Sequence, residues 1–214
     1  MISRIRAEAE RNQGVVSVYP IIRFGMFELL LFMCFGYHMK EEEVFEISEL
    51  LDAIVKLTAM QLFDFLPFMK LLRRNREVSK RELRAKQVDL FSSHFQKHKE
   101  LKEMGQLTRG SYLETLLHKD LSTHDVVTLC TEFMGGGTDT TVTTLEWAMA
   151  HLVRNPLIQS KLYCHIRDVV GDRPVEEVDL EHLPYLQAVV KETLRLNPPG
   201  PRAHSAATRR LCTY

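Results

Sequence analysis

The feature that most constrains this chain is the run Gly135-Gly136-Gly137, set inside a stretch that keeps helical apolar spacing on both sides. Val126, Leu129, Cys130 and Phe133 lead up to it; Leu145, Ala148, Met149 and Leu152 continue after it. Each glycine costs a helix interior about 1 kcal/mol relative to alanine and brings no side chain to bury. The spacing nevertheless predicts one central helix from about Ser122 to Val153. At about 1.5 Å per residue it would span on the order of 45 Å. Bare backbone at its centre serves a close approach, either of a flat ligand or of a neighbouring helix. Asp139, Thr140 and Thr141 follow at once. Thr140 lies four residues after Gly136, so its hydroxyl can bond back to that carbonyl, widening or kinking the helix and admitting water beside Asp139. On the first reading, acid, hydroxyl and water form a proton path. On the second, the run is a glycine-rich helix crossing with Asp139 and the threonines solvated.

A second motif lies in Tyr185-Leu186-Gln187-Ala188-Val189-Val190-Lys191-Glu192-Thr193-Leu194-Arg195-Leu196. Pro184 suits the first turn of a helix, and Asn197-Pro198-Pro199 ends it. Leu186, Val189, Val190 and Leu194 form its expected buried stripe. Glu192 and Arg195, three apart, share a face and pair.

Together the two motifs resemble the cytochrome P-450 haem-thiolate monooxygenases. Gly136 to Thr141 is similar to the family's [A/G]-G-x-[D/E]-T-[T/S] motif, and Glu192 to Arg195 to its E-x-x-R signature. Phe32 to Gly36, Asp64 to Pro67 and Ser111 to Leu116 look like plant members, most of all the group acting on fatty acids in cutin-type metabolism. The resemblance implies an all-α, partial cytochrome P-450 fold, mainly its central helices through the E-x-x-R helix. It covers residues 1–200 as an incomplete catalytic domain, with 201–214 a divergent tail that reads as out of frame. It implies haem as cofactor, with Gly136, Gly137, Thr141 and His204 on the cofactor side. Thr140 becomes the hydrogen-bond donor during oxygen activation, Asp139 the proton relay, and Glu192 with Arg195 a structural pair. The implied partners are an NADPH-cytochrome reductase and a lipid-like substrate, at the endoplasmic reticulum membrane. Phe45 to Pro67 corresponds to the roof of the family's pocket, with Phe63, Phe65, Leu66 and Phe68 lining a lipid channel or simply forming core.

The resemblance also sets an expectation of what this chain lacks. The iron ligand of such enzymes is a cysteine thiolate in F-x-x-G-x-R-x-C-x-G. Cys34, Cys130, Cys164 and Cys212 stand in no such pattern, and no metal ligand is assigned. Cys34 and Cys130 read as buried thiols, and nothing pairs the four into a disulfide framework. Met26 to Gly36 is an apolar run too short to span a bilayer, which needs about 20 residues, and is expected to be an internal helix. The chain is therefore expected to be an anchorless internal fragment, soluble and inactive alone, or a non-catalytic helical protein that binds a partner. Lys plus Arg and Asp plus Glu both number 28, a balance that argues against nucleic-acid binding. Leu72 to Glu103 reads as a long solvated helix with Leu83, Val88, Leu90, Phe91 and Phe95 inward. Gly105 to Ser111 and Gly171 to Pro174 read as loops.

Overall fold

The computed structural model describes residues 1–58, 70–107 and 110–200, with side chains described outside 58–77 as well. All regular structure among the described residues is helical. The helices are α1 (Ile2–Arg11), α2 (Val18–Phe35), α3 (Glu41–Thr58), α4 (Lys70–Glu103), α5 (Tyr112–Leu117), α6 (Thr123–Arg154), α7 (Pro156–Val170) and α8 (Pro184–Leu196). A 3₁₀ segment, Glu177–His182, precedes α8. The central helix and the E-x-x-R helix thus fall within a residue or two of their expected ends. The described residues group into two compact units, one within 23–138 and one within 1–22 and 139–200.

In the unit Arg23–Thr138, local signals start each helix. Glu41, Glu42 and Glu43 put acid in the first turn of α3, where helix dipole and free N–H groups favour it. Glu43 Oε2 accepts from the Lys40 N–H at 2.8 Å. Ser111 caps α5 by accepting from the Glu114 N–H, and Glu114 accepts from the Gly110 N–H. Ser122 and Asp125 cap α6 reciprocally, each side chain accepting from the other's N–H. Gly110, at φ +85°, makes the turn ahead of α5 in a conformation that favours glycine.

These helices enclose one core. Phe35, Phe91 and Phe95 meet with ring centroids 5.8–6.3 Å apart, a spacing at which edge and tilted contacts are favourable. Leu31, Ile47, Val127 and Met134 close around them, almost fully buried. The expected inner face of α4 is present, with Phe91 and Phe95 buried and Leu83, Val88 and Leu90 half-buried. Three polar residues on that face went unread in the sequence. Gln87, His94 and His98 are buried at the same helical period. Tyr37 Oη lies 2.8 Å from His94 Nδ1, and burial holds His94 below its usual pKa. His98 Nδ1 donates to the Phe35 carbonyl at 2.7 Å, leaving Nε2 buried without a hydrogen-bond partner.

The apolar run around Met26 belongs to a longer helix than expected. α2 begins at Val18, and its 18 residues pass the length and apolarity test for crossing a membrane. The same helix sends Phe27, Leu30, Leu31, Cys34 and Phe35 into the core, as a core helix does.

In the other unit, α7, the 3₁₀ segment and α8 pack together. Gly171, at φ +71°, ends α7. Arg173 then grips Asp179 with two hydrogen bonds of 2.8 and 2.6 Å, and the Glu176 N–H adds a third at 2.8 Å. The guanidinium first and that N–H second pull the Asp179 carboxyl from 3.8 to about 2. The brace fixes the turn that leads into α8.

Two outcomes are expected. A carboxyl whose folded pKa is depressed adds stability above its ordinary pKa, and that stability disappears as pH falls from about 4 through about 2. Urea titrations of the chain and of Arg173→Ala should therefore differ at pH 6 and converge near pH 2. The α6 glycines should also divide. Gly135→Ala, with open space at its Cβ, should stabilise by about 1 kcal/mol, whereas Gly137→Ala should lose that gain against Leu30.

Candidate functional site

α6 runs as uninterrupted α-helix through the glycine run, with no π or 3₁₀ turn at Gly135 to Thr140. The expected widening is not seen. Threonine back-bonds recur along the helix. Thr128, Thr131, Thr138 and Thr144 each donate to the carbonyl four residues earlier, at 2.7–2.9 Å, and the flanking turns hold. Thr138, buried at 3% exposure, makes this bond within the glycine turn and went unread in the sequence.

The three glycines are not equivalent. A Cβ on Gly137 would stand 2.9 Å from Leu30 Cδ1 and 3.0 Å from Leu30 Cδ2. Gly137 therefore serves the close approach of α2, which is the helix-crossing alternative, and its face is filled by Leu30 rather than open to a cofactor. A Cβ on Gly135 or Gly136 would meet nothing within 4 Å. The bare backbone open to a ligand is theirs. Further along α6, Asp139 and Thr140 are exposed and Thr141 is half-buried.

On α8 the expected pair is formed. Arg195 Nε and Nη2 donate to the two Glu192 oxygens, each at 2.7 Å. Arg195 is the first cause holding the Glu192 carboxyl below its usual pKa. Both side chains remain about half exposed. Nearby, His151 Nε2 lies 2.7 Å from Asn197 Oδ1, tying the last turn of α6 to the end of α8. Between these helices is a cavity of about 410 Å³, bordered by Leu152, Ile158, Tyr185, Val189, Glu192 and Leu196. The buried stripe expected on α8 is only partly formed. Leu186 and Val189 are half-buried, but Val190 and Leu194 are exposed, as is Leu145 on α6. Periodicity marked the apolar face of these helices correctly; no described element covers all of it. His204, Phe63, Phe65, Leu66, Phe68 and Cys212 lie outside the described residues.

Residues 1–210 match the family model for cytochrome P-450. The chain belongs to the cytochrome P-450 family. Among curated relatives, salutaridine synthase of Papaver somniferum is 32% identical, the alignment covering 97% of this chain and 41% of that protein. A probable (S)-N-methylcoclaurine 3'-hydroxylase isozyme of Coptis japonica is 42% identical over 51% of this chain and 22% of that protein. A zebra fish cytochrome P-450 solved with progesterone superposes with a TM-score of 0.71 at 24% identity, over 90% of this chain and 46% of its own. This cytochrome P-450 chain thus spans less than half the length of these relatives.

The family's enzymes are monooxygenases and their cofactor is haem. Haem would need room for a flat group and a cysteine thiolate to hold its iron. The open backbone of Gly135 and Gly136 gives a flat group room. Cys34 and Cys130, by contrast, are fully enclosed. The hydrogen bond that the Cys34 thiol makes to Cys130, then burial, pushes that thiol's pKa well up, away from the thiolate that iron requires. Cys164 is exposed on α7, and no group of three metal-binding side chains occurs among the described residues.

The exposure of the Glu192–Arg195 pair sets a further expectation. Glu192→Gln should change the urea stability of this chain by no more than about 0.5 kcal/mol, the usual scale for an exposed i,i+3 pair. A loss several times larger would show the pair bracing the chain by itself.

Proposed function

We propose that this chain is the oxygen-activating middle segment of a haem monooxygenase that oxidises a hydrophobic small molecule, with electrons delivered from NADPH by a cytochrome reductase. One observation supports the reading above the rest: α6 keeps Gly135 and Gly136 bare toward open space, followed by exposed Asp139 and Thr140. Haem supplies the oxygen chemistry when bound. The chain's own residues supply the surroundings. Gly136 leaves room at the helix surface, the Thr140 hydroxyl donates a hydrogen bond, and the Asp139 carboxyl holds and passes a proton. Glu192 and Arg195 orient the end of α8. The substrate in this reading is a fatty acid or similar lipid, and the whole protein works at the endoplasmic reticulum membrane. The apolar wall formed by Ile54, Leu57 and Leu83 supports a lipid-like substrate.

The test is a chimera in which residues 1–200 replace the matching segment of the Papaver somniferum salutaridine synthase. The chimera should give a reduced carbon-monoxide difference band of thiolate type. Thr140→Ala in it should keep NADPH oxidation while lowering product per NADPH by on the order of ten- to a hundredfold. Unchanged coupling would remove Thr140 from the proposed role.

A further inference from the structure

One polar cluster is left unused by this reading. It joins α4 to the first half of α6 in the unit Arg23–Thr138. Arg84 Nη1 donates to Gln87 Oε1 at 2.6 Å. Its Nη2 donates to Thr128 Oγ1 at 2.5 Å and to the His124 carbonyl at 3.1 Å, and its Nε to His124 Nε2 at 3.2 Å. Gln87 Nε2 then donates to Thr131 Oγ1 at 2.6 Å. Every one of these acceptors is uncharged. Among the described residues no carboxylate pairs with Arg84, although it is only partly exposed. Burial lowers its pKa, the sign of a cation whose lost hydration is not made good by an anion. Four of its five N–H groups are assigned, and one on Nη1 remains.

Arg84 also borders a cavity of about 460 Å³, within the size range of small-molecule sites. Ile54, Leu57 and Leu83 form its apolar side, Lys80 adds a second cation and Glu132 a single anion. Apolar wall, held guanidinium and one unassigned donor together describe a complementary ligand.

We propose that this cavity binds an amphipathic monocarboxylate, its carboxylate on Arg84 beside Lys80 and its apolar tail along Ile54, Leu57 and Leu83. This deepens the lipid-substrate reading given above and rests on it for the link to catalysis; the binding itself needs no haem. A carboxylate can take the remaining Nη1 hydrogen and supply the missing counter-charge in one contact, forming a charge-assisted hydrogen bond. The neutral ladder through Gln87, Thr128 and Thr131 holds the guanidinium in place beforehand, so little ordering is required on binding. Glu132 works against the anion and selects against a second negative group on the ligand. An amine of the same tail would meet the Arg84 guanidinium and is rejected.

The test uses the 214-residue chain without haem. A fluorescent probe, dansyl-undecanoate, is displaced in turn by dodecanoate, its methyl ester and dodecylamine. Dodecanoate should bind at least about tenfold more tightly than either neutral or cationic analogue, the usual scale of a hydrogen bond to a charged group. Arg84→Gln should remove that preference, weakening dodecanoate by about ten- to a hundredfold while leaving the ester unchanged. Arg84→Lys should retain part of it. Glu132→Gln, at an exposed position, should tighten dodecanoate and so reads the same field with opposite sign if Arg84 variants fold poorly. Equal affinities for all three ligands, or no response to both variants, would overturn the proposal. Because haem is absent, that failure would leave the monooxygenase reading standing, and an uncoupled or inactive chimera would leave this binding standing.

Discussion

Leu30 resting on the bare backbone of Gly137 sets how closely α2 and α6 approach, and the core of the larger unit is built around that distance. Leu31, Cys34 and Phe35 on α2 and Val127, Cys130 and Met134 on α6 are all buried at 1% exposure or less. Side chains packed at crystal-like density transmit even one added methyl group. A Cβ at Gly137 would press on Leu30 and through it on this seam. The helix-weakening effect of glycine at this position is therefore offset by packing, whereas at Gly135 and Gly136 nothing packed offsets it. A Cβ at either of these two positions would stand in open space.

The second constraint is polar. α4 is fixed to its neighbours by Gln87, His94 and His98 as much as by its phenylalanines. Gln87 reaches Thr131 on α6, His94 meets Tyr37, and His98 holds the carbonyl at the end of α2. Buried hydrogen bonds of this kind specify register, since sliding one turn would leave each group unsatisfied. Glu43 joins the same region through Lys97 at 2.7 Å, while Lys97 lies 5.0 Å from the Tyr37 ring centroid. Arg84 completes this line at its exposed end, where the ladder opens into a cavity instead of closing on a carboxylate.

The helices were legible because their signals are local. Apolar period, Pro184 and Pro156 at helix starts, and Gly171 at a helix end each act within a turn or two. The site was legible in its motifs and less so in its geometry. Pattern alone offered two readings of the glycine run, and the helix-crossing one is met at Gly137. Gly137 packs and Gly136 is open, a division set by where Leu30 falls on another helix. Exposure of Val190 and Leu194 was likewise outside the reach of periodicity, which identifies an apolar face but not what lies against it. Arg84 and its neutral partners escaped for the same reason. In the sequence it is one of many charges on a solvated helix, and its significance appears only when α6 supplies uncharged acceptors across from it.

The most direct measurement is thiol accessibility at the two glycines. In a Cys164→Ser, Cys212→Ser background, which removes the exposed thiol on α7 and the thiol outside the described residues, Gly136→Cys and Gly137→Cys are each treated with iodoacetamide under native conditions. Reactivity follows exposure of the thiolate. Gly136→Cys should be alkylated at least about tenfold faster than Gly137→Cys, and only Gly137→Cys should lower the urea midpoint. Equal alkylation rates with equal stability would contradict the division of the glycine run into a packed and an open face.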